Sequence, residues 1–286
     1  DIDFVDIDED TWNISISALK KKLQEAKLKD QLPKILVAVH LCGLSCEMQE
    51  IQDLSHEFGF KVIEDASHAL GGSYKDSKIG SCIYSDISTF SFHPVKNLTT
   101  GEGGMAVTKD HKIHQNLKEL ASHGIVKDKE RLPKGSMGWY YEQQSLGFNY
   151  RLSDFQAALG LSQLGRLDAN IKKREKLAEI YNQNLDSNKY LIQYVPPHSI
   201  SGRHIYVVRT CNGNRDKLFN FLKEHEVSPN LHYIPIYRQP FYKKYVYNLL
   251  ELKNSERYFN EAITIPLYPS LQNNEQEFVI SLLNDF

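Results

Sequence analysis

Short, solid runs of apolar and β-branched residues set the tightest limits on the fold of this chain. KILVAVH (34–40), KVIEDAS (61–67) and DISTFSFH (86–93) lack the sustained in-out alternation of a strand that faces water on one side. Runs of this kind belong to parallel strands, whose crossover helices cover both sheet faces. Amphipathic stretches lie between and around them. From Ser15 to Lys29, Ile16, Leu19, Leu23 and Ala26 share one stripe, and Met48, Ile51, Leu54 and Phe58 repeat at helical spacing before a Gly59 stop. MAVTK (105–109) predicts a further strand, and DHKIHQNLKELASHG a helix with Ile113, Leu117 and Leu120 inward and Gly124 at its end.

Residues 125–147 turn irregular and rich in Gly, Lys and aromatics, which reads as a long functional or interfacial loop. A capping box, Ser153 with Gln156 three positions on, then opens one long helix through Leu161, Leu164, Leu167 and Ile171 towards Tyr181. After it, HIYVVRT predicts a strand, DKLFNFLKEHEV a helix, SPNLHYIPI a strand and turn, and Glu275 to Leu283 a last helix. The division expected is a large α/β domain over 1–185, bridging helix included, and a small α+β domain over 186–286.

The 286 residues, 41% of them apolar, suffice for a proper core, and 34 basic against 36 acidic side chains leave a formal charge of −2. That balance advertises neither nucleic acid nor an anionic membrane, so a small molecule or a second copy of the chain is the expected partner. No apolar stretch approaches the length of a membrane span and no charged-then-apolar leader opens the chain, so a soluble, cytoplasmic protein is expected. Four scattered cysteines do not make a disulfide framework. His40, Cys42 and Cys46 lack the second ligand pair of a metal site, so no metal is expected.

Ligands of open α/β sheets gather at the carboxyl ends of the strands. Asp65 closes KVIED, a carboxylate at the lip of an apolar strand where ionisation calls for a cation or a donor. Lys96 stands three residues beyond DISTFSFH, and the following TTGEGG lets backbone approach a ligand closely. Ser91 and His68 can reach the same edge. A lysine and a carboxylate on neighbouring strand ends, about thirty residues apart, suit pyridoxal 5′-phosphate (PLP): the lysine for a Schiff base, the acid for the pyridine nitrogen. By spacing alone, a structural ion pair or two solvated side chains remain open. Neither a P-loop nor a dinucleotide fingerprint is present.

The wording of the segments adds a resemblance. EDASHALGGSYKDSKIGSC, YSDISTFSFHPVKNLTTGEGGMAVT, SHGI, LGFNYRLSDFQAALGLSQL and LHYIPIYRQPFY occur in this order, and the whole chain resembles the DegT/StrS-type nucleotide-sugar aminotransferases. The resemblance implies fold type I of the PLP-dependent transferases, aspartate aminotransferase-like, with a mostly parallel sheet. It implies Lys96 as the cofactor lysine and proton carrier, Asp65 on the pyridinium, and His68 beside the ring near its phenolic oxygen. Ser91 would bind the phosphate, and Asn149 would reach the phosphate of the other subunit's cofactor, which makes a homodimer with shared active sites. Arg151 and His232 would meet anionic groups of the donor or the sugar.

Within the family, HLCGLSCEM and FHPVKNLTTGEGG look most like members that aminate C4 of a UDP-4-keto-6-deoxy-2-acetamido sugar, with L-glutamate as donor and 2-oxoglutarate as by-product. Another nucleotide keto sugar, or a catalytically silent member of the fold, are the alternatives. Family members ordinarily begin well before the segment matched by DIDFVDIDED, so the chain is expected to be truncated at its amino terminus. On that reading it lacks a phosphate-holding helix N-terminus and a stacking aromatic, and holds cofactor weakly.

Overall fold

The computed structural model describes residues 1–242 and 249–286. Helix α1 (Ile16–Leu28) starts where Ser15 Oγ accepts the Ala18 N–H, and α2 (Met48–Phe58) stops at Gly59, whose φ of 77° is left-handed. With β1 (Ile35–Val39), β2 (Lys61–Asp65), the short β3 (Ser73–Tyr74) and β4 (Ser77–Lys78), β5 (Ile87–Ser91) and β6 (Gly104–Val107), they form the first half. The main sheet has the order β1-β2-β5-β6. β1, β2 and β5 run parallel, with Val39 opposite Asp65 and Asp65 opposite Thr89, and β6 returns antiparallel beside β5.

Leu19 and Leu23 of α1 and Met48, Ile51, Leu54 and Phe58 of α2 pack with Ala38 and Val62 on one sheet face. The expectation of cover on both faces fails at β1, where Ile35, Val37 and Val39 point away from those helices and are 54%, 52% and 47% exposed. Alternation along the strand puts these three on one side, and no described residue shields them there.

Helix α3 (His111–Ala121) buries none of its residues, so Ile113, Leu117 and Leu120 skirt the core instead of entering it. It ends at Ser122, short of Gly124. The long loop contains a two-strand pairing, β7 (Ile125–Val126) with β8 (Glu142–Gln143). The capping box at Ser153 and Gln156 forms as expected, but the single long helix does not. The chain breaks into α4 (Asp154–Leu164) and α5 (Leu167–Asn184) at Gly165, whose N–H turns to Gln163 O.

The second half builds an antiparallel sheet from β9 (Tyr190–Ile192), β11 (Tyr206–Thr210) and β12 (Ala262–Ile265), with the short β10 (Ser199–Ile200) between. Around it stand α6 (Arg215–Glu224), α7 (Lys253–Glu261) and α8 (Asn273–Asp285). Leu177, Ala178 and Tyr181 of α5, Leu218 and Leu222 of α6 and Val279, Leu282 and Leu283 of α8 surround Val208, Ile263 and Ile265. SPNLHYIPI forms no strand; Asn230 makes one bridge to Thr264, and a short turn follows at Ile236–Arg238.

The two halves interlock. β10 pairs with β3, and residues 201–204 then cross the carboxyl ends of the main sheet. Gly202 N–H donates to Gly43 O at 2.9 Å. At Gly43, φ is +99°, and a Cβ would sit 2.6 Å from Arg203 N and 2.8 Å from His68 O. Gly43→Ala is therefore expected to cost about 2–4 kcal/mol of stability, read as a lower urea midpoint at unchanged slope.

Candidate active site

The crossing point gathers several of the residues singled out above. Asp65 ends β2, its Oδ1 accepting Ser67 N–H at 3.1 Å. Its neighbour Glu64 points the other way, into the core. There it receives the Ser85 hydroxyl and His40 Nε2–H, the latter at 2.9 Å, while His40 Nδ1 accepts Cys46 N–H at 3.1 Å. His40 thus has both ring nitrogens engaged inside the fold, and strand alternation leaves Asp65 alone at the lip.

Lys96 lies in the turn after β5. Thr100 N–H and Thr99 Oγ1 both donate to Phe92 O, at 2.9 and 3.0 Å, and Phe92 N–H donates to Gly103 O at 2.9 Å. Asn97 fixes the turn to its surroundings through Nδ2, bonded to Leu70 O at 3.2 Å and Gly202 O at 2.6 Å. The Lys96 amine is half-buried, and burial holds its pKa below the ordinary 10.5 while Asp65 pulls it back up. Among the described residues no ion pair joins the two, and Asp65 acts on the amine through its charge alone. The carboxylate acts on the amine across a gap wider than a hydrogen bond.

His68 sits against both. Burial, then the charge of Lys96, then His232, push its pKa down to about 3, with Asp65 opposing. His204 packs against it, rings tilted by 56° with centroids 4.6 Å apart, and is pushed down to about 2 by burial first and His68 next. His232 is also lowered, by burial and then Lys96, and its Nδ1 meets Thr264 Oγ1 at 2.7 Å. Asp65, His68, Lys96 and His232 therefore share one electrostatic site. Ser91 stands at the end of β5, where its Oγ accepts His93 N–H at 3.4 Å.

Asn149 and Arg151 are not brought to this cluster. Both are exposed, Asn149 bridged to Ser122 and Arg151 against His123 Nε2 at 2.8 Å. Sequence reasoning missed Tyr233, whose hydroxyl meets His68 Nε2 at 3.0 Å, as well as His204 and Asn97. The only signal for Tyr233 was its place beside His232; nothing in GRHIYVV marked His204. A cavity of about 500 Å³ lies elsewhere, between Asp8–Ser17 and Tyr194–His198, and includes none of these residues.

The donor set fits PLP. A half-buried amine of lowered pKa suits a carbonyl carbon, a carboxylate with no ion-pair partner suits a protonated ring nitrogen, and the buried Asn97 Oδ1 has no hydrogen-bond partner among the described residues. Comparison with known proteins decides the class. The family model for DegT/DnrJ/EryC1/StrS aminotransferases matches residues 2–284. This chain belongs to that family. It is accordingly a PLP-dependent sugar aminotransferase of fold type I.

Among relatives, it is 36% identical to the UDP-4-amino-4,6-dideoxy-N-acetyl-beta-L-altrosamine transaminase of Campylobacter jejuni, over 97% of this chain and 71% of that protein. It is 31% identical to the GDP-perosamine synthase of Escherichia coli O157:H7, over 99% and 72%. The solved structure of Helicobacter pylori PseC, an aminotransferase involved in pseudoaminic acid biosynthesis, superposes with a TM-score of 0.87 at 28% identity, over 99% of this chain and 72% of that one.

The neutral imidazoles give a pH prediction. Each resists protonation when folded but takes a proton near pH 6.5 once unfolded, so its contribution is whole above pH 6.5 and falls as pH drops towards its folded value. Between pH 7 and pH 5 the parent is expected to lose about 2 kcal/mol more than a His204→Gln variant, measured by urea unfolding at the two pH values.

Proposed function

We propose that this protein transfers an amino group from L-glutamate, by way of PLP, to C4 of a UDP-4-keto-6-deoxy-2-acetamido sugar, releasing 2-oxoglutarate. The observation that carries the reading is the Lys96 amine, half-buried, lowered in pKa and set across from the Asp65 carboxylate. Similarity to the Campylobacter altrosamine transaminase and to the Helicobacter enzyme supports the sugar and a place in pseudaminic acid synthesis.

PLP, when bound, supplies an electrophilic carbonyl and a ring that accepts electrons from a carbanion. Lys96 Nζ would hold the cofactor and, with burial keeping its pKa below the ordinary value, would carry a proton from one carbon to another. Asp65 would meet the ring nitrogen, its carboxylate favouring the protonated form. His68, neutral throughout, leaves that charge unspent. Ser91 Oγ would donate to the phosphate, and His232, with Arg151 from outside this chain's own cluster, would meet anionic groups of the donor or the sugar.

Asn149 reaches the phosphate held by a second copy, in a homodimer with shared sites. Support for the dimer is the apolar surface around it: Trp139, Leu146, Tyr150, Phe155 and Leu161 are 70–91% exposed. Patches of this size on a folded chain mark association surfaces.

A second reading, amination of another nucleotide keto sugar, is favoured by the similarity to GDP-perosamine synthase across the same span. Amination assays on a panel of UDP-, GDP- and dTDP-linked keto sugars separate the two, with turnover of the UDP-linked 4-keto sugar expected to lead. Incubation with PLP, borohydride reduction and peptide mapping are expected to label Lys96, and label on any other residue overturns the site. Lys96→Ala is expected to lower amino transfer by about a hundred- to ten-thousandfold. Phe155→Asp is expected to shift the protein from dimer to monomer in sedimentation velocity.

A further inference from the structure

We infer that Asn97 is a positioning residue for Lys96: its side-chain amide sets where the amine stands against the turn that carries His68 and the crossing segment that carries His204. The inference rests on the Lys96 site proposed above.

Residues 93–96 close a tight turn of their own, Lys96 N–H donating to His93 O at 3.0 Å. Nothing inside that turn decides how it lies against the rest of the site. Among the described residues, 94–98 reach other segments by hydrogen bonds from one atom only, Asn97 Nδ2, which donates to Leu70 O at 3.2 Å and to Gly202 O at 2.6 Å. Leu70 comes two residues after His68, and Gly202 two before His204. A single nitrogen, one residue along from the lysine, therefore joins the three backbones that carry Lys96, His68 and His204.

That count dictates the residue type. To serve two carbonyls one atom must carry two hydrogens: a hydroxyl has one, a carboxylate none, an amide nitrogen two. A flipped amide would set Oδ1 against two oxygens, so the orientation is fixed as well. Serving both carbonyls leaves Oδ1 buried with no hydrogen-bond partner among the described residues, which costs stability. Holding the glycine-rich turn together does not call for that cost, because α4 already grips its far end. Gln163 Nε2 donates to Thr99 O at 2.6 Å, and Gln156 Nε2 to Glu102 O at 2.8 Å. Neither bond reaches the lysine end, which is left to Asn97.

An amine that carries a proton between two carbons must stand within reach of both, and a misplacement of about 1 Å can cost about a hundredfold in rate. The Asn97 bonds fix the backbone beside Lys96, and with it the direction in which the four-carbon side chain leaves. Held there, the amine is half-buried, with its pKa below the ordinary value. Freed, it moves towards water.

Asn97→Leu keeps the branching and size of the side chain, adds no charge and removes both donors. In the PLP-loaded full chain its kcat for amino transfer is expected to fall about ten- to a hundredfold at unchanged KM for the keto sugar, a loss of position and not of binding. A second measurement needs no cofactor: competitive acetylation over a pH series, with the Lys96 peptide followed by mass spectrometry, gives the pH midpoint of the amine. In Asn97→Leu that midpoint is expected to rise towards the ordinary lysine value, because a freed amine meets more water. A leucine that only filled space beside the amine would leave the midpoint unchanged or lower it. Asn97→Ser, with one O–H for two carbonyls, is expected to fall between parent and Asn97→Leu in both measurements, and decides the matter if Asn97→Leu does not fold.

Parent kcat in a folded variant overturns the inference, as does an unchanged or lowered midpoint. A lower urea midpoint with both of those at parent values would make Asn97 a strut of the fold and nothing more. Borohydride labelling of the PLP-treated parent separates this from the site itself. Label away from Lys96 sinks the Lys96 site, whereas label on Lys96 with an indifferent Asn97→Leu sinks only the role of the amide.

Discussion

The site depends on one buried cation that is not in the site. Arg174 of α5 sends Nη1 to three backbone carbonyls, those of Arg203, His204 and Leu267, at 3.1, 3.0 and 2.8 Å. A buried guanidinium without acceptors is very costly, and buried carbonyls without donors are costly too, so the two needs are met together or not at all. Next to it, Arg203 holds Glu175 through Nε and Nη2 at 2.8 and 3.1 Å. The crossing segment is thereby pinned to α5. Pinned there, it lays His204 on His68 and offers Gly202 O to Asn97, the residue after the lysine.

The second constraint is the pleat of β2. Adjacent carboxylates at 64 and 65 point to opposite sides, and this separates a structural charge from a chemical one. Glu64 is surrounded by donors, Ser85 and His40, and joins β1 to the turn before β5. Asp65 has one backbone N–H and otherwise faces the amine. Shifting the strand by one residue would exchange the two environments, placing the carboxylate with two donors at the lip and the open one in the core.

What was readable in the sequence follows from locality. Helices α1 and α2, their caps and the box at Ser153 are set by side chains within one turn of the backbone they serve, and they appear where the pattern puts them. The break at Gly165 was hidden because leucines continue at helical spacing on both sides of it. Asp65, Lys96 and Ser91 were visible because strand ends are local features of a pattern. Tyr233 and His204 were not, since each becomes a neighbour of His68 only after more than a hundred residues of chain have folded back. Asn149 and Arg151 stay apart from the cluster within one chain, held at Ser122 and His123 instead.

Electrostatics ties these parts together. Three imidazoles, His68, His204 and His232, share the surroundings of Lys96, and His68 also feels the Asp65 carboxylate. Burial lowers their pKa values more than any single contact does: it is the largest influence on His68, His204 and His232 alike. The same burial lowers the pKa of the Lys96 amine, so one cause acts in the same direction on the histidines and on the lysine. Lys96 then reinforces the arrangement, because its positive form repels protons from all three rings. The crossing segment contributes to that enclosure by setting His204 against His68 and Gly202 O on Asn97, so the guanidinium that pins it helps to hold the surroundings of the amine in place.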